Sequence, residues 1–268
     1  MASGGPSPRI AYQGEAGAFS ERAARKLAPH AALVPCHYFP ELFAALRSGY
    51  ADMALVPVEN TLAGAVTDSY DLLLQHPDLY IQREAILPIH HQLIGVPGAQ
   101  VEHLRVVQSH PVALAQCRKF VTAHPAIQVR NTHDTAGSVR VMMEAGDPTV
   151  ASIASANAAE VYGGEILARD IEDDVNNLTR FWLLSRLPNG GGERCSLVTE
   201  LNGLSQLSTI LRGFEEKGMS LTNIVPRPVP GSPWRYRCVM DFQTSNGNHI
   251  EPGSYSRWLG RYHSITLE

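Results

Sequence analysis

Thr179 and Arg180 stand side by side in Asn176-Asn177-Leu178-Thr179-Arg180-Phe181-Trp182-Leu183-Leu184, where a hydroxyl, a guanidinium and two amides fall within five positions. Thr179 offers a proton donor, and the planar fork of Arg180 suits a carboxylate. Phe181 to Leu184 are apolar and end at Ser185-Arg186-Leu187-Pro188, so they read as a short buried strand with the polar run at its mouth. Two other stretches present polar groups on similar terms. Glu59-Asn60-Thr61 follows the apolar run Met53 to Val58, at the strand end where open α/β sheets bind ligands. Asn60 and Thr61 equally suit a turn cap before Leu62-Ala63-Gly64. Ser109 suits the N-cap of a helix opening at Pro111 and running from Val112 to Val121. Gln116 lies two turns further on and can look the same way.

The elements that must position these groups alternate. Ile10-Ala11-Tyr12 reads as a strand, Gly14 and Gly17 as a tight turn, and Phe19 to Leu27 as a helix. Pro40 to Ser48 is an amphipathic helix stopped by Gly49, and Val66 to Leu74 is another, with Thr67 or Asp68 as its cap. Tyr80 to Val96 changes character, as a segment crossing between lobes would. It contains His90-His91, which on a strand face opposite sides and cannot share one metal. Ala126 to Arg130 and Thr149 to Ala154 are strands, His133-Asp134-Thr135 opens a helix to Glu144, and Ser155 caps Ala156 to Tyr162. Such alternation argues for α/β architecture with parallel sheets covered by helices. Leu187 to Arg194 is glycine-rich and reads as a linker, followed by a small α+β unit.

With 268 residues, the chain can build one or two domains with a sizeable core. A net charge of −4 offers no basic field for nucleic acid or an anionic membrane, so an anionic ligand needs local help. No apolar run reaches the ~20 residues of a membrane helix. Cys36, Cys117, Cys195 and Cys238 are far apart, which argues for reduced thiols in a cytoplasmic protein rather than a zinc site. Met1 to Pro8 lacks a charged start and an apolar stretch, so a flexible tail is expected there rather than a signal peptide.

Four separated motifs give the chain a resemblance to the prephenate dehydratase family. Tyr12-Gln13-Gly14-Glu15-Ala16-Gly17-Ala18-Phe19-Ser20 is similar to the family's opening glycine turn, and Pro57 to Val66 to its P-x-E-N-S/T-x-x-G-x-V stretch. Ser109-His110-Pro111 with Gln116-Cys117 resembles S-H-P-x-A-L-x-Q-C, and Asn177-Leu178-Thr179-Arg180-Phe181 resembles N-x-T-R-F. The resemblance implies a two-lobed catalytic domain like periplasmic binding proteins, with the site between lobes. It puts about 9–79 and 160–186 in one lobe, about 80–159 in the other, and a linker at 187–194. It makes Thr179 the essential hydroxyl, with Glu59, Asn60, Thr61, Ser109, Gln116, Arg180 and Phe181 binding substrate. The implied reaction turns prephenate into phenylpyruvate with loss of water and carbon dioxide. Aromatisation drives it, so no metal, flavin or nicotinamide cofactor is required.

Residues 195–268 resemble the ferredoxin-like ACT domain that senses phenylalanine in such enzymes. The family's effector motifs fall on Ser205, Gln206 and Leu207 and on Arg227 and Pro228, with several departures. Thr244 to Tyr255 has little apolar periodicity, so the second ACT helix is expected to be missing or replaced. A homodimer or homotetramer is expected from an ACT surface. Arogenate dehydratase, prephenate decarboxylase and a non-catalytic two-lobed binding protein are the alternative readings.

Overall fold

The computed structural model describes residues 7–201, 204–244 and 256–268, so the expected flexible N-terminal tail falls largely outside it. In chain order the elements are β1 (Arg9–Gln13), α1 (Phe19–Leu27), β2 (Ala32–Cys36), α2 (Phe39–Ser48), β3 (Met53–Asn60), β4 (Gly64–Ala65), α3 (Thr67–Gln75) and β5 (Tyr80–Pro88). A second group follows: β6 (Gln92–Gly95), β7 (Val106–Ser109), α4 (Pro111–Gln116), α5 (Arg118–Ala123), β8 (Gln128–Asn131), α6 (Thr135–Ala145), β9 (Val150–Ala154), α7 (Ala156–Tyr162) and β10 (Glu165–Ala168). The chain then returns through β11 (Leu178–Ser185) to the tail: β12 (Arg194–Leu201), α8 (Leu204–Glu215), β13 (Met219–Pro228), β14 (Tyr236–Thr244) and β15 (Ser256–Thr266).

Two sheets make two lobes. The smaller has the order β10-β6-β9-β7-β8. The larger runs β13-β14-β12-β15-β5-β11-β3-β1-β2, with β4 beside β3. The lobe boundaries therefore differ from the expected 79/80 and 159/160. β5 pairs with β11 in the first lobe, and β10 pairs with β6 in the second. The chain crosses at Ile89–His91 and again between β10 and β11. Hydrophobic pattern alone could not place these switches, because which sheet a strand joins is decided by its pairing partners.

The tail is part of the first lobe's sheet. β15 pairs in parallel with β5, from His263 opposite Arg83 to Thr266 opposite Ile86. Within the tail the order β13-β14-β12-β15 is antiparallel, with β12 inside and α8 crossing between β12 and β13, a split β-α-β arrangement. The stretch in which the second helix was expected to be missing, 245–255, lies outside the described residues. One face of this sheet carries Cys195, Leu197, Met240 and Phe242 under α8. The other presents Val198, Val225, Val239 and Tyr262 to Tyr70, Leu73 and Trp182 of the first lobe, in one continuous core. The expected linker is tied down as well. Asn189 Nδ2 donates to Gln82 O at 2.8 Å, and Glu193 accepts from Ser264 N at 2.8 Å.

Local signals explain most boundaries. Gly49, Gly146 and Gly163 end α2, α6 and α7 in left-handed conformation, and Ser155 and Asp134 cap α7 and α6 through N–H bonds at 3.0 and 2.5 Å. The helix expected from Val112 to Val121 instead breaks at Cys117 into α4 and α5. Neither Thr67 nor Asp68 caps α3, whose N-cap is Val66.

Candidate active site

A cleft of about 670 Å³ opens between the lobes, with Thr179 and Phe181 of β11, Asn60 and Pro57 of β3, and Gln116 of α4 on its walls. Strand pairing sets Thr179 directly across from Asn60 and Arg180 across from Glu59. A bulge then follows, with Phe181 opposite Pro57, so Val58 and Glu59 both turn toward the tail side of the sheet. Thr179 and Asn60 are left together on the cleft side.

Asn60 organises the site. Its Oδ1 accepts the backbone N–H groups of Leu62 at 3.0 Å and Ala63 at 2.9 Å. Backbone nitrogens only donate, so the atom facing them is the oxygen and the amide orientation is settled. Nδ2 therefore donates to Asn177 Oδ1 at 2.7 Å and to Thr179 Oγ1 at 3.0 Å. The same logic runs outward. Gln116 Nε2 donates to Asn60 Oδ1 at 3.0 Å, so Gln116 Oε1 faces Asn177 Nδ2 at 3.0 Å and His91 Nε2 at 2.8 Å. His91 Nε2 then carries its proton, and burial, its largest influence, pushes the imidazole pKa down and keeps it neutral. One result matters for chemistry: Thr179 Oγ1 accepts from Asn60, and its own O–H proton is free to be donated into the cleft.

Asn60 thus caps the turn and also lines the cleft. Thr61 does not reach the cleft. Its hydroxyl accepts from Leu178 N at 2.9 Å and donates to Asn176 O at 2.7 Å, tying the β3 turn to β11. Ser109 is fully buried and donates to Ile153 O at 2.6 Å, and the N-cap of α4 is His110, whose Nδ1 accepts from Val112 N at 3.3 Å. Its expected roles as N-cap and as substrate contact are therefore not met by this geometry.

Arg180 and Glu59 depart furthest from expectation. Alternation along β11 turns Arg180 to the sheet face opposite Thr179. There its Nη2 meets Asp241 of β14 at 2.7 Å and Glu59 at 3.3 Å, and Nη1 meets Glu84 at 3.4 Å. Burial opposes the guanidinium charge, but Asp241 and Glu84 hold it protonated. Asp241 also accepts from Ser196 Oγ at 2.6 Å. Arg180 is an anchor between the first lobe and the tail, not a carboxylate clamp in the cleft. The expected effector set is not brought together either. Leu207, on α8, packs onto the tail sheet, whereas Arg227 faces the first lobe and forks onto Asp71. The side chain of Ser205 lies outside the described residues.

The lobes are latched across the cleft. Arg140 of α6 grips Glu15 of the glycine turn at 2.6 and 3.0 Å, and this bond holds the Glu15 carboxyl below its ordinary range against the effect of burial. Ser155 Oγ donates to Gly17 O at 2.6 Å. Gly17 has φ of +87°, and a Cβ there would stand 2.7 Å from Ala158 Cα, so only glycine permits this approach. Tyr38 and His133 meet on the cleft wall with ring centroids 4.9 Å apart and planes tilted by 57°. Tyr38, His91, His110 and His133 line the cleft, and sequence reasoning had not put them there. His90, by contrast, turns away from the cleft and meets Glu172 at 2.7 Å.

The fold and the site define a two-lobed α/β protein with a hydroxyl-bearing cleft between its lobes. The sequence profile of the family described as prephenate dehydratase matches residues 10–189. The chain belongs to the prephenate dehydratase family. It is 41% identical over 253 residues to arogenate dehydratase/prephenate dehydratase 6, chloroplastic, of Arabidopsis thaliana, covering 92% of this chain and 60% of that one. With arogenate dehydratase 1 of Petunia hybrida the identity is 40% over 252 residues, covering 92% and 59%. The chain thus spans about three fifths of the length of these curated relatives. Among solved structures, prephenate dehydratase in complex with L-Phe from Arthrobacter aurescens superposes with TM-score 0.83 at 30% identity, covering 95% of this chain and 89% of that one. GqqA, described as a novel type of quorum quenching acylase, superposes with TM-score 0.84 at 32% identity, covering 96% and 98%.

Proposed function

We propose that the chain is a lyase that converts prephenate to phenylpyruvate. The carbon–carbon bond to the ring carboxylate breaks, its electron pair enters the ring, and the ring hydroxyl leaves with the pair of its carbon–oxygen bond. Carbon dioxide departs, and the hydroxide becomes water as it gains a proton. Thr179 is the catalytic residue, donating its O–H to the departing hydroxyl. Asn60, Gln116 and Phe181 contact the substrate, and Asn177 and His91 hold Asn60 and Gln116 in register. The observation that carries this reading is the Asn60 Nδ2 to Thr179 Oγ1 bond at 3.0 Å, which occupies a lone pair of the hydroxyl and leaves its proton to be donated. Closure of the lobes positions the substrate and excludes water, while aromatisation drives the reaction.

The likeness to an acylase supplies a second chemistry to weigh. Acyl transfer through Thr179 requires a base that takes its proton, and the partner here is an N–H donor, which favours dehydration. Arogenate, with an amino group in place of the keto group, is the second substrate to test, since the relatives' names include arogenate dehydratases. The tail is an ACT-like unit on the strength of its strand order, and phenylalanine is its proposed effector. Leu221 and Ile224 on the edge strand β13 remain more than a third exposed, which supports a homodimer or homotetramer built through the tail. Four buried free thiols suit a reducing compartment such as the cytoplasm.

The test is the ultraviolet spectrum of the protein with prephenate, read for phenylpyruvate. Thr179→Ala should lose about 10²–10⁴ in turnover, the usual worth of a positioned proton donor, and Thr179→Ser should keep more activity than the alanine variant. Equal activity of Ser and Ala variants would remove the hydroxyl from the mechanism. Hydrolysis of an N-acyl amide with no turnover of prephenate would replace the reaction.

A further inference from the structure

Helix α3 is a wall of the cleft, with Asp68, Asp71 and Leu72 lining it. The same helix is gripped by the tail at two places. Arg227 of β13 donates Nε to Asp71 Oδ1 at 2.7 Å and Nη2 to Asp71 Oδ2 at 2.6 Å. Arg257 of β15 donates to the carbonyls of Leu73, His76 and Leu79 at 3.3, 2.8 and 3.1 Å, around the helix C-terminus. Asp71 is therefore a cleft residue and a tail contact at once.

Charge gives this contact a consequence. Among the described residues, Asp68, Asp71 and Asp134 line the cleft, and no lysine or arginine does. Asp134 is engaged in capping α6. Asp71 would face any anionic ligand with an unbalanced charge were it not for the guanidinium of Arg227, which Asp68 also senses. We propose that Arg227, reaching from the tail, is a positioning residue that neutralises Asp71 and so sets how much negative charge the cleft accepts. The pair thereby tunes the choice between a dicarboxylate with a keto group, net −2, and one with an ammonium group, net −1. This rests on the dehydratase reading above.

The charge of the pair can be stepped without deleting a large side chain. Arg227→Gln leaves it at −1, Asp71→Asn at +1, and the double variant returns it to zero. A unit charge several ångströms from the substrate, at the effective dielectric near a protein surface, should change KM for prephenate about tenfold. The smaller net charge of arogenate should reduce its change to about threefold. KM for prephenate should therefore fall in Asp71→Asn, rise in Arg227→Gln and lie within about twofold of the unmodified protein in the double variant. Arg227→Gln should also shift preference toward arogenate. The excess KM should shrink as salt is raised from about 0.05 to about 0.5 M, because the pair is partly exposed.

Full-length variants would be assayed on both substrates, with circular dichroism to check folding. The KM order above, with rescue in the double variant, supports the proposal, because a purely structural loss would move both substrates alike and would not be repaired by removing Asp71's charge. Equal KM increases in all three variants, or a flat KM across the set, overturn it. No turnover of either substrate by the unmodified protein overturns the dehydratase reading, and the proposal with it.

Discussion

Replacing Asn60 with aspartate changes one amide nitrogen to oxygen and removes a set of donors that the site is built on. Three acceptors lose this N–H partner: Asn177 Oδ1, fully buried and 2.7 Å away, Thr179 Oγ1 at 3.0 Å, and Leu178 O at 3.1 Å, which keeps the N–H of Thr61. A buried acceptor left unsatisfied costs ~1–3 kcal/mol, so the change costs on the order of 3 kcal/mol, a Tm fall of about 5 °C for a protein of this size. The other oxygen keeps its three donors from Leu62, Ala63 and Gln116, so the variant should still fold. The larger effect is on chemistry. With a carboxylate beside it, the Thr179 O–H turns to donate there, and the cleft loses its donor. Turnover should fall about 10²–10⁴, with partial recovery as pH is lowered and protonation of the carboxyl restores a donor. Asn60→Ala, which loosens the site but offers Thr179 no acceptor, should lose less turnover than the aspartate variant. Steady-state kinetics and thermal melts on the three proteins decide it. Turnover in Asn60→Asp within about threefold of wild type, or the alanine variant being the worse of the two, would refute the hydroxyl-orientation argument.

Two further perturbations address closure. Gly17→Ala meets both a left-handed backbone, costing roughly 1–2 kcal/mol, and overpacking against Ala158, costing roughly 1–3 kcal/mol, so Tm should fall and KM should rise as the lobes are wedged apart. An unchanged KM would show that the lobes need not approach this closely. The Glu15–Arg140 latch has a definite pH signature: the folded-state pKa of Glu15 lies below its ordinary 4.5, so its stabilisation is present above that value and lost as pH falls through the lowered one. The Tm gap between wild type and Glu15→Gln should therefore be widest near neutrality and close in acid.

Much of this architecture was legible in the sequence because its elements obey local rules. The alternation of strands and helices through β9, the caps at Ser155 and Asp134 and the glycine stops all follow from periodicity and backbone preference. The lobe switches at β5 and β10 were not legible, since a strand's partners depend on tertiary pairing that a buried apolar run does not encode. His133, Tyr38 and Asp71 were hidden for a related reason. Each belongs to a different element, and only the packing of the lobes and tail brings them to one cleft.

Thr179 and Arg180 show where reading a motif stops and geometry begins. Alternation along β11 separates this pair, so one strand residue faces the cleft while its neighbour faces the tail. Which face is the cleft depends on what covers the other side of β11, and here that is the tail, through Asp241 and the core around Trp182. The motif therefore joins two tasks on one short strand. Its threonine faces the cleft, where the proposed reaction needs a donor, and its arginine fixes the strand against the tail through a buried pair whose disruption would leave Glu84 and Asp241 without their shared counter-charge. Arg180 then bears on the placement of Thr179 through the strand they share while facing away from the cleft, and Ser109, locked on Ile153 O, supports the start of α4 and hence Gln116 in the same indirect way. A residue's place in a motif says that the site depends on it; the direction of its side chain says how.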